Sequence, residues 1–501
     1  MFYKVISAVI SGIEAVMVNV EIDTSQGLPV FDMTGSLATE VKEARERVKI
    51  AAKNTGYIIM PGRITVNISP ANVRKAGTLL DLPIAIGVLG TMGFVNHDMV
   101  RDTLIVGELS LDGAVNRVEG ILPIVCMARQ ADIKRVIIPR DNAVEASYIE
   151  GIELIPVKSL KEAVEYLTGR CSIHYPHRQY KAKEYIHSED EIIGQEPAKR
   201  ASVIAAAGRH NILYIGPPGV GKSMLAKVIP AIMPPLTLEE SIELSKIYSV
   251  RGLIDEKEGL VRTRPFRTPH SKITPVSFLG GGKYPVPGEV SLASFGILFM
   301  DEIPLFDNQI LTALRIPLEE RKVSVNRLNS THTFPANFML AAAMNPCACG
   351  YYPDRSRCTC SRKDISRYYG RLDKPLLDRI DISVEVPNIP IDMLREKRKT
   401  YSLEDMRDMV SNAAKRQSHR YKDEDIYSNS ELNNTLISKY CHMSPTAKEL
   451  LDTVFEKMSL SVRAYNKIIK VARSIADIED CDVISEEHIA EAVGYRISEA
   501  V

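Results

Sequence analysis

Two hydrophobic periods alternate along the first 170 residues of the chain. Short apolar runs predict β-strands at Ile64–Ile68, Leu104–Val106 and Arg135–Pro139. Stretches rich in Ala, Glu and Lys, with apolar residues at helical spacing, predict helices at Glu40–Asn54 and Leu160–Leu167. We therefore expect residues 1–170 to form one α/β domain.

This pattern is lost at residues 171–188, CSIHYPHRQYKAKEYIHS, which are polar, aromatic and mildly basic. Their composition predicts a linker, with a strap that touches DNA as the alternative. Strand and helix patterns alternate again over residues 189–390, which indicates a parallel sheet covered by helices. Residues 391–501 are mostly helical in pattern, and three of the predicted helices begin at a serine, a favoured N-cap residue: Ser444–Phe455, Ser461–Ile475 and Ser485–Val493.

Composition narrows the class of protein. The length of 501 residues suggests about three domains. No apolar run reaches the ~18–20 residues that a membrane helix needs, and the strand-like N-terminus carries Glu14, unlike a signal peptide. Eight cysteines without a secretory signal indicate reduced thiols or a metal site in a cytoplasmic protein. Lys and Arg total 63, as do Asp and Glu, which excludes a globally basic nucleic-acid binder but not a local basic surface.

The sequence GPPGVGKS lies between an apolar run at Asn211–Ile215 and the helical stretch MLAKVIPAI. A glycine-rich loop between a strand and a helix turns its N–H groups around phosphates, and the helix N-terminus adds a partial positive charge. Lys222 is expected to reach the β- and γ-phosphates, and Ser223 to bind Mg²⁺. The predicted nucleotide-binding loop comprises Gly216, Pro217, Pro218, Gly219, Val220, Gly221, Lys222 and Ser223.

Polar side chains end two further apolar runs. Asp301 and Glu302 follow Gly296–Met300, at the strand end where α/β sheets bind ligands. We expect Asp301 to hold the Mg²⁺ shell and Glu302 to deprotonate the attacking water. Asn345 follows the run at 338–343 and could position that water, although asparagine is also a common turn residue.

Two arginines could supply positive charge to a neighbouring subunit's phosphates. Arg379 precedes the fourth apolar strand, and Arg463 begins a helix. An arginine given across a subunit boundary stabilises phosphoryl transfer. The alternative is that each pairs with a nearby carboxylate, such as Asp378 or Asp381, and spacing alone leaves both interpretations open.

Four blocks of the sequence together resemble the YifB/ComM family of magnesium-chelatase-like AAA+ ATPases. They read IIGQEPAKRASVIAAAGRHNILYIGPPGVGKS, RPFRTPHSKITPVSFLGGGKYPVPGEVSLASFGILFMDEIPLF, AAAMNPCACG and PLLDRIDISVEV. The resemblance spans nearly the whole chain. It implies an AAA+ ATPase core of magnesium-chelatase type over 189–390, with ATP and Mg²⁺ as cofactors, and a helical lid over 391–501.

The same resemblance implies a role for individual residues. Gly216 to Ser223 match Walker A, and Asp301–Glu302 match Walker B. Asn345 matches sensor 1, Arg379 the arginine finger and Arg463 the sensor 2 arginine. Both arginines would act across a subunit boundary, which implies a homo-oligomeric ring, most simply a hexamer. Residues Ile193, Gly194 and Gln195 match the segment beside the adenine.

Residues 1–170 resemble a Lon-protease-like domain. Active Lon domains use a Ser–Lys dyad, but the matching positions here are Leu79 and Leu122. Leucine can neither attack a carbonyl nor accept a proton, so we expect no peptidase activity. The resemblance suggests a role in ring assembly or DNA guidance instead.

Four cysteines lie within fourteen residues: Cys347, Cys349, Cys358 and Cys360. They could bind tetrahedral Zn²⁺ or remain free thiols in a polar loop. The surrounding residues 351–374 interleave tyrosines with Arg and Lys, which suits single-stranded nucleic acid, with a solvated loop or a subunit interface as the alternative. The glycine run at 280–282 predicts a hairpin at the pore of a ring, either mobile or rigid.

The function implied by the resemblance is an ATP-driven ring motor on DNA, acting as a branch-migration helicase in homologous recombination and natural transformation. The alternative is a protein-remodelling ATPase of the magnesium-chelatase type. No membrane partner is expected.

Overall fold

The computed structural model describes residues 1–185, 192–327, 330–389 and 401–496. The end of the predicted linker, 186–188, and the start of the predicted lid, 391–400, lie outside these residues. Contacts between residues divide the chain into two compact units. Unit 1 comprises residues 1–181 and 237–262, and unit 2 comprises residues 182–236 and 263–501.

The strands, in chain order, are β1 (Phe2–Ser11), β2 (Glu14–Ser25), β3 (Val30–Thr34), β4 (Arg63–Ser69), β5 (Thr103–Ile105), β6 (Glu108–Leu109), β7 (Val115–Asn116), β8 (Arg135–Pro139), β9 (Glu153–Val157), β10 (Ile212–Ile215), β11 (Phe266–Arg267), β12 (Gly280–Gly281), β13 (Val286–Pro287), β14 (Ile297–Met300), β15 (Lys322–Arg327), β16 (Ser330–Pro335), β17 (Met339–Met344) and β18 (Ile382–Glu385).

The helices are α1 (Thr39–Asn54), α2 (Asp81–Thr91), α3 (His97–Val100), α4 (Ile121–Gln130), α5 (Ala143–Ala146), α6 (Leu160–Leu167), α7 (Glu196–Gly208), α8 (Lys222–Ile232), α9 (Leu238–Val250), α10 (Pro275–Leu279), α11 (Glu289–Leu292), α12 (Asn308–Ala313), α13 (Arg315–Glu320), α14 (Arg362–Tyr369), α15 (Lys374–Leu377), α16 (Leu403–Arg420), α17 (Asn434–Tyr440), α18 (Pro445–Lys457), α19 (Val462–Ile478) and α20 (Glu486–Gly494). Among the described residues, no helix is both long enough and apolar enough to span a membrane.

Unit 1 is built on a seven-stranded mixed sheet in the order β3-β4-β2-β1-β5-β8-β9. The long strands β1 and β2 form an antiparallel hairpin, while β1, β5, β8 and β9 run parallel to one another. Every residue of α2 is buried, because this helix packs against the sheet and is covered by other elements of the unit. The α/β class expected for this region is confirmed.

The segment 237–262 belongs to unit 1, although it lies between two parts of unit 2 in the sequence. The N–H groups of Gly120 and Leu122 donate to the backbone oxygen and the hydroxyl of Ser249, at 3.0 and 3.4 Å. Tyr148 donates its hydroxyl to the backbone oxygen of Glu258 at 3.0 Å. These contacts fix α9 beside α4, an association that the sequence pattern did not reveal.

The two positions that match the Lon dyad lie in one hydrophobic cluster of unit 1. Leu79 is 7% exposed and Leu122 is fully buried. Both side chains pack among other apolar residues, including Leu260 from the segment after α9. The place of a dyad is therefore taken by apolar packing, which offers no nucleophile and no base.

Unit 2 contains a five-stranded parallel sheet in the order β11-β14-β17-β10-β18. One face packs on a core that includes α7, α8 and the C-terminal helices, and the other on a second apolar cluster around Phe278 and Leu314. Strands buried on both faces need continuous apolar runs, and β17 is buried at all six positions. The predicted parallel sheet is confirmed, and its strands β10, β14 and β17 end side by side.

The C-terminal part of unit 2 is helical, as expected. Ser444 and Ser461 cap α18 and α19 by accepting hydrogen bonds from Ala447 N–H and Ala464 N–H. Such caps satisfy backbone donors that the first helical turn leaves unpaired. The buried face of α19 packs against α16, α17 and α20 and against α7 of the sheet layer.

Candidate functional site

The loop from Gly216 to Gly221, which we call the phosphate loop, connects β10 to α8. Gly219 and Gly221 have φ of +82° and +91°, a region that other residues enter only with strain. A Cβ at Gly216 would lie 2.3 Å from the backbone oxygen of Val386, so this glycine lets the loop pass close to the chain after β18. The loop thus leads into the N-terminus of α8, where backbone N–H groups can receive an anion.

Lys222 points back into the loop from the first turn of α8. Its Nζ donates to the backbone oxygens of Gly216 and Pro217, at 2.7 and 2.8 Å, and to Asn345 Oδ1 at 3.0 Å. Burial lowers the pKa of Lys222, while the charges of Asp301 and Glu302 oppose that shift. A buried ammonium held by oxygen acceptors at a helix N-terminus is suited to anionic phosphate.

The next residue links the loop to the end of β14. Ser223 donates its hydroxyl to Asp301 Oδ2 at 3.1 Å, and the N–H of Glu302 donates to Asp301 Oδ1 at 3.0 Å. Hydroxyl and carboxylate oxygens are the ligands that Mg²⁺ prefers. The residues present therefore fit the cation that this site implies.

Glu302 has a left-handed backbone, with φ 49° and ψ 48°. Its side chain is exposed, next to the Ser223–Asp301 pair. Left-handed geometry costs a residue with a Cβ about 1–2 kcal/mol. Strain of this kind concentrates at functional positions, where it fixes the direction of a side chain.

Asn345 follows β17 directly and presents its amide oxygen to Lys222. Tyr368 on α14 lies close enough to the Asn345 backbone for that backbone to lower its pKa. Burial raises the pKa of Tyr368, and the charge of Glu302 adds to the shift. Tyr368 therefore borders the site, whereas sequence analysis had placed it among tyrosines that stack on nucleic acid.

The segment that matches the adenine contact lies beside the loop. Ile193 is half-buried and Gly194 is buried, with φ of +65°. The side-chain amide of Gln195 donates to the backbone oxygens of Val220 and Pro387, at 3.4 and 2.7 Å. This contact ties the start of unit 2 to the loop.

Arg379 and Arg463 meet on one carboxylate that sequence analysis did not single out. Arg379 Nη2 donates to Glu319 Oε2, and Arg463 Nη2 donates to Glu319 Oε1. Asp381, offered as a local partner of Arg379, instead pairs with Lys467. Among the described residues, neither arginine has a hydrogen bond to the phosphate loop of its own chain. Glu319 lies 60 residues before Arg379, and no motif marks it.

The four cysteines come together in space. Cys347 Sγ lies 3.3 Å from Cys349 Sγ and 3.8 Å from Cys358 Sγ, and all four sulfurs, with that of Cys360, lie within 4.8 Å of one another. A regular Zn–S₄ tetrahedron with bonds of ~2.3 Å has S–S edges of about 3.8 Å, so the sulfur set fits Zn²⁺.

Backbone donors surround this cluster. The N–H of Tyr352 donates to Cys347 Sγ at 3.4 Å. Hydrogen bonding, first with the Tyr351 backbone, lowers the pKa of Cys349 to about 6, whereas the pKa values of Cys358 and Cys360 are raised, that of Cys358 chiefly by burial. Donors aimed at sulfur stabilise thiolate, which is the form that binds a metal.

The cysteine loop also touches the phosphate loop. Gly350 has φ +88°, and a Cβ there would lie 2.7 Å from Cδ of Pro218. Cys347 comes only two residues after Asn345. We call residues 347–360 the cysteine knuckle, and it forms a wall of the phosphate loop.

The basic aromatic track at 351–374 differs from its expected form. The guanidinium carbon of Arg357 lies 4.2 Å from the ring centroid of Tyr351, and that of Arg355 lies 5.0 Å from the centroid of Tyr352. Tyr368 and Tyr369 pack against the core of unit 2. The track therefore presents arginine planes rather than open tyrosine faces. The glycine run does form a hairpin, β12–β13, with Lys283 and Tyr284 in its turn.

A phosphate loop after the inner strand β10, an acidic pair after β14, and an amide at the end of β17 between them define an AAA+ ATPase. Family profiles give the same result. Residues 189–394 match the profile described as magnesium chelatase, subunit ChlI. Residues 20–142 match that of subunit ChlI of Mg-chelatase, and residues 401–496 that of its C-terminal region.

The chain belongs to the YifB/ComM family of magnesium-chelatase-like AAA+ ATPases. It is 37% identical over 497 residues to the competence protein ComM of Haemophilus influenzae, covering 97% of this chain and 95% of that protein. It is 38% identical over 488 residues to YifB of Salmonella typhimurium, with the same coverage. A shorter region is 30% identical over 97 residues to Lon protease 2 of Bacillus subtilis, covering 19% of this chain and 17% of that protein. ATP and Mg²⁺ are the cofactors that this membership implies.

Proposed function

We propose that this protein is an ATP-hydrolysing ring motor that acts on DNA, as a branch-migration helicase in homologous recombination and natural transformation. The observation that carries the ATPase part is the convergence of Lys222, Ser223, Asp301 and Asn345 at the ends of three adjacent strands. Residues 216–223 bind the phosphates, and Ile193 and Gly194 lie at the adenine.

Hydrolysis requires a base and a positioned water. Glu302 accepts the proton of the attacking water, and its left-handed backbone sets the direction in which the side chain leaves the main chain. Asn345 positions the water or the γ-phosphate through an amide already anchored by Lys222. Ser223 and Asp301 would hold Mg²⁺, which would neutralise charge on the phosphates.

The proposed ring gives the two arginines a role. Arg379 and Arg463 pair with Glu319 of their own chain and have no hydrogen bond to its phosphate loop among the described residues, and in the proposed assembly they serve the nucleotide of a neighbouring subunit. Arginines given in trans complete a site only in an assembly, and we propose a hexamer.

DNA is the proposed substrate for three reasons. The relative from Haemophilus influenzae is named as a competence protein. Exposed arginines of the track, among them Arg355 and Arg357, supply charge and planar groups that can stack on bases. The β12–β13 hairpin places Lys283 and Tyr284 at its turn, a pair suited to a phosphate and a base.

The cysteine knuckle is proposed to bind one structural Zn²⁺ through Cys347, Cys349, Cys358 and Cys360. The fit of the four sulfurs to a tetrahedron supports this assignment. Metal binding by four thiolates requires reduced cysteines, which agrees with a cytoplasmic protein.

The test is the ATPase rate of the purified chain without DNA and with single-stranded, duplex and forked DNA at a stated salt concentration. We expect strong stimulation by single-stranded or forked DNA. Lys222→Ala should abolish nucleotide binding and turnover, because it removes the buried ammonium. Lys227→Ala, an exposed lysine on the same helix, is the matched control and should behave as wild type. An ATPase indifferent to every DNA would contradict the DNA motor and favour protein remodelling.

A further inference from the structure

Glu319 lies near the C-terminal end of the short helix α13. Its two carboxylate oxygens are divided between two arginines: Oε2 accepts from Arg379 and Oε1 from Arg463. The Glu319 side chain is 48% exposed, Arg379 16% and Arg463 47%. The carboxylate of Glu319 therefore joins two guanidinium groups, that of Arg379 just before β18 and that of Arg463 on α19. We call residues 374–381, which contain Arg379, the finger segment, and the C-terminal helices the lid.

Arg379 is fixed by more than this carboxylate. Its Nε donates to the backbone oxygen of Arg315 at 3.0 Å, and its Nη1 donates to that of Pro375 at 2.7 Å. An arginine has five N–H donors, so two remain after these three bonds. The guanidinium is oriented by its own chain and still able to bind an anion.

A second contact holds the lid helix to the finger segment. Lys467 lies one turn after Arg463 on α19, and its Nζ lies 2.9 Å from Asp381 Oδ1 and donates to the backbone oxygen of Ile380 at 3.1 Å. Burial would raise the pKa of Asp381, but the charge of Lys467 and the neighbouring His210 side chain hold it far below its usual range. The carboxylate stays ionised, so α19 is fixed beside the residues that follow Arg379.

We propose that Glu319 is a positioning residue that joins Arg379 and Arg463 into one two-arginine clamp, presented as a unit to the ATP of the neighbouring subunit. This inference rests on the proposed function, because it assigns the clamp to a site shared between subunits. Two guanidinium groups close together repel each other, and the shared carboxylate offsets that repulsion. Because Glu319 already orients both arginines, they lose less conformational entropy when they bind the phosphates of the neighbouring subunit's ATP.

The test compares Glu319→Gln with Glu320→Gln. Glutamine keeps the shape of Glu319 and removes its charge. Glu320 lies next to it, and its ion pair among the described residues is with exposed Lys322, at 3.8 Å. For assembled Glu319→Gln we expect kcat per chain to fall about tenfold or more, as misplaced catalytic groups do. The ATP affinity of the dilute chain should stay unchanged, and Glu320→Gln should match wild type. Unchanged or increased kcat in Glu319→Gln would overturn the proposal.

Mixed assemblies provide a readout that a purely structural role would not change. Lys222→Ala chains keep the clamp and lack a working loop, whereas Glu319→Gln chains keep the loop and lack the clamp. Where the two meet, one complete site forms, so co-expressed mixed rings should hydrolyse ATP faster than rings of either variant alone. Mixed rings without recovery would contradict action across the boundary. A wild-type assembly without ATPase activity would instead overturn the proposed function itself, and this inference with it.

Discussion

At the scale of single residues, the site combines strain with burial. Glu302 adopts a left-handed backbone, and its N–H is held by Asp301 Oδ1 at 3.0 Å. The sequence predicted an acidic pair at the end of the strand. It could not show that Glu302 would adopt a left-handed backbone conformation, which changes the direction of its side chain. That detail depends on how the chain leaves β14, which only the packed structure determines.

We predict that Glu302→Gln retains ATP but loses turnover. Glutamine preserves the size of the side chain and cannot accept the proton of water, and loss of a general base costs about 100-fold or more in rate. Single-turnover hydrolysis and equilibrium ATP binding measure the two effects separately. Asp307→Asn, an exposed carboxylate five residues later, should keep the wild-type rate. A normal rate in Glu302→Gln would refute its role as base.

A second residue, Glu145 of α5, is buried in unit 1 beside the α9 segment. Burial raises its pKa from 4.5 to about 7, although the Ser249 and Asn142 side chains and the charge of Arg117, which lies 3.9 Å from Oε2, oppose the shift. Between these two pKa values the folded chain keeps a proton that the unfolded chain has released. Raising the pH through this window therefore lowers the free energy of unfolding, by about 3 kcal/mol at most.

We predict that unit 1 is more stable near pH 5 than at pH 7.5, and that Glu145→Gln removes most of this difference. Glutamine is neutral at both values, so the unfavourable ionisation disappears. Thermal unfolding by calorimetry at the two pH values measures the effect. The exposed Glu150 of the same segment offers the control Glu150→Gln, which should retain the wild-type pH dependence. Equal pH dependence in Glu145→Gln and wild type would be inconsistent with this explanation.

At the scale of elements, the cysteine knuckle and the phosphate loop form one assembly. Gly350 packs against Pro218, and the knuckle begins just after Asn345 at the end of β17. The contact between Gly350 and Pro218 and the chain connection at Asn345 therefore join the sulfur cluster to the phosphate loop. A metal that orders the knuckle would therefore order one wall of the nucleotide site.

We predict that Cys358→Ser loses Zn²⁺ and weakens ATP binding several-fold. A serine hydroxyl is a poor zinc ligand, and an unsupported knuckle no longer holds Gly350 against Pro218. Metal content by elemental analysis and ATP binding by calorimetry measure the two consequences. Cys481→Ser, at an isolated thiol in the C-terminal helical region, is the control and should change neither. Full zinc content in Cys358→Ser would exclude the four-sulfur site.

Hydrophobic periodicity predicted several elements closely. The structure contains strands at Arg135–Pro139 and Arg63–Ser69 and helices at Leu160–Leu167 and Thr39–Asn54, each within a residue or two of expectation. These elements have local signals, such as apolar spacing and serine caps. Glu319 had no such signal, because an acidic residue in a short helix is ordinary until two distant arginines fold onto it.

At the scale of the whole molecule, the order of motifs along the chain predicted the parallel sheet and the neighbouring strand ends. It did not predict that residues 237–262 would leave unit 2 and complete unit 1. Pro234 and Pro235 before that segment and Gly252 and Gly259 within it predict turns, but turn signals do not indicate which unit a helix joins. The segment's membership is determined by tertiary contacts, such as those of Ser249 with Gly120 and Leu122.

Because α9 belongs to unit 1 while its flanking sequence belongs to unit 2, the two units cannot be separated by a single cut of the chain. The polypeptide passes between the units three times, so a protease cut near residue 185 severs only one of the three connections. The two pieces should then travel together through gel filtration and separate only in denaturant. A gene shortened to the ATPase core would encode Leu244, Ile247 and Leu260 without the layer that covers them, and its product should aggregate.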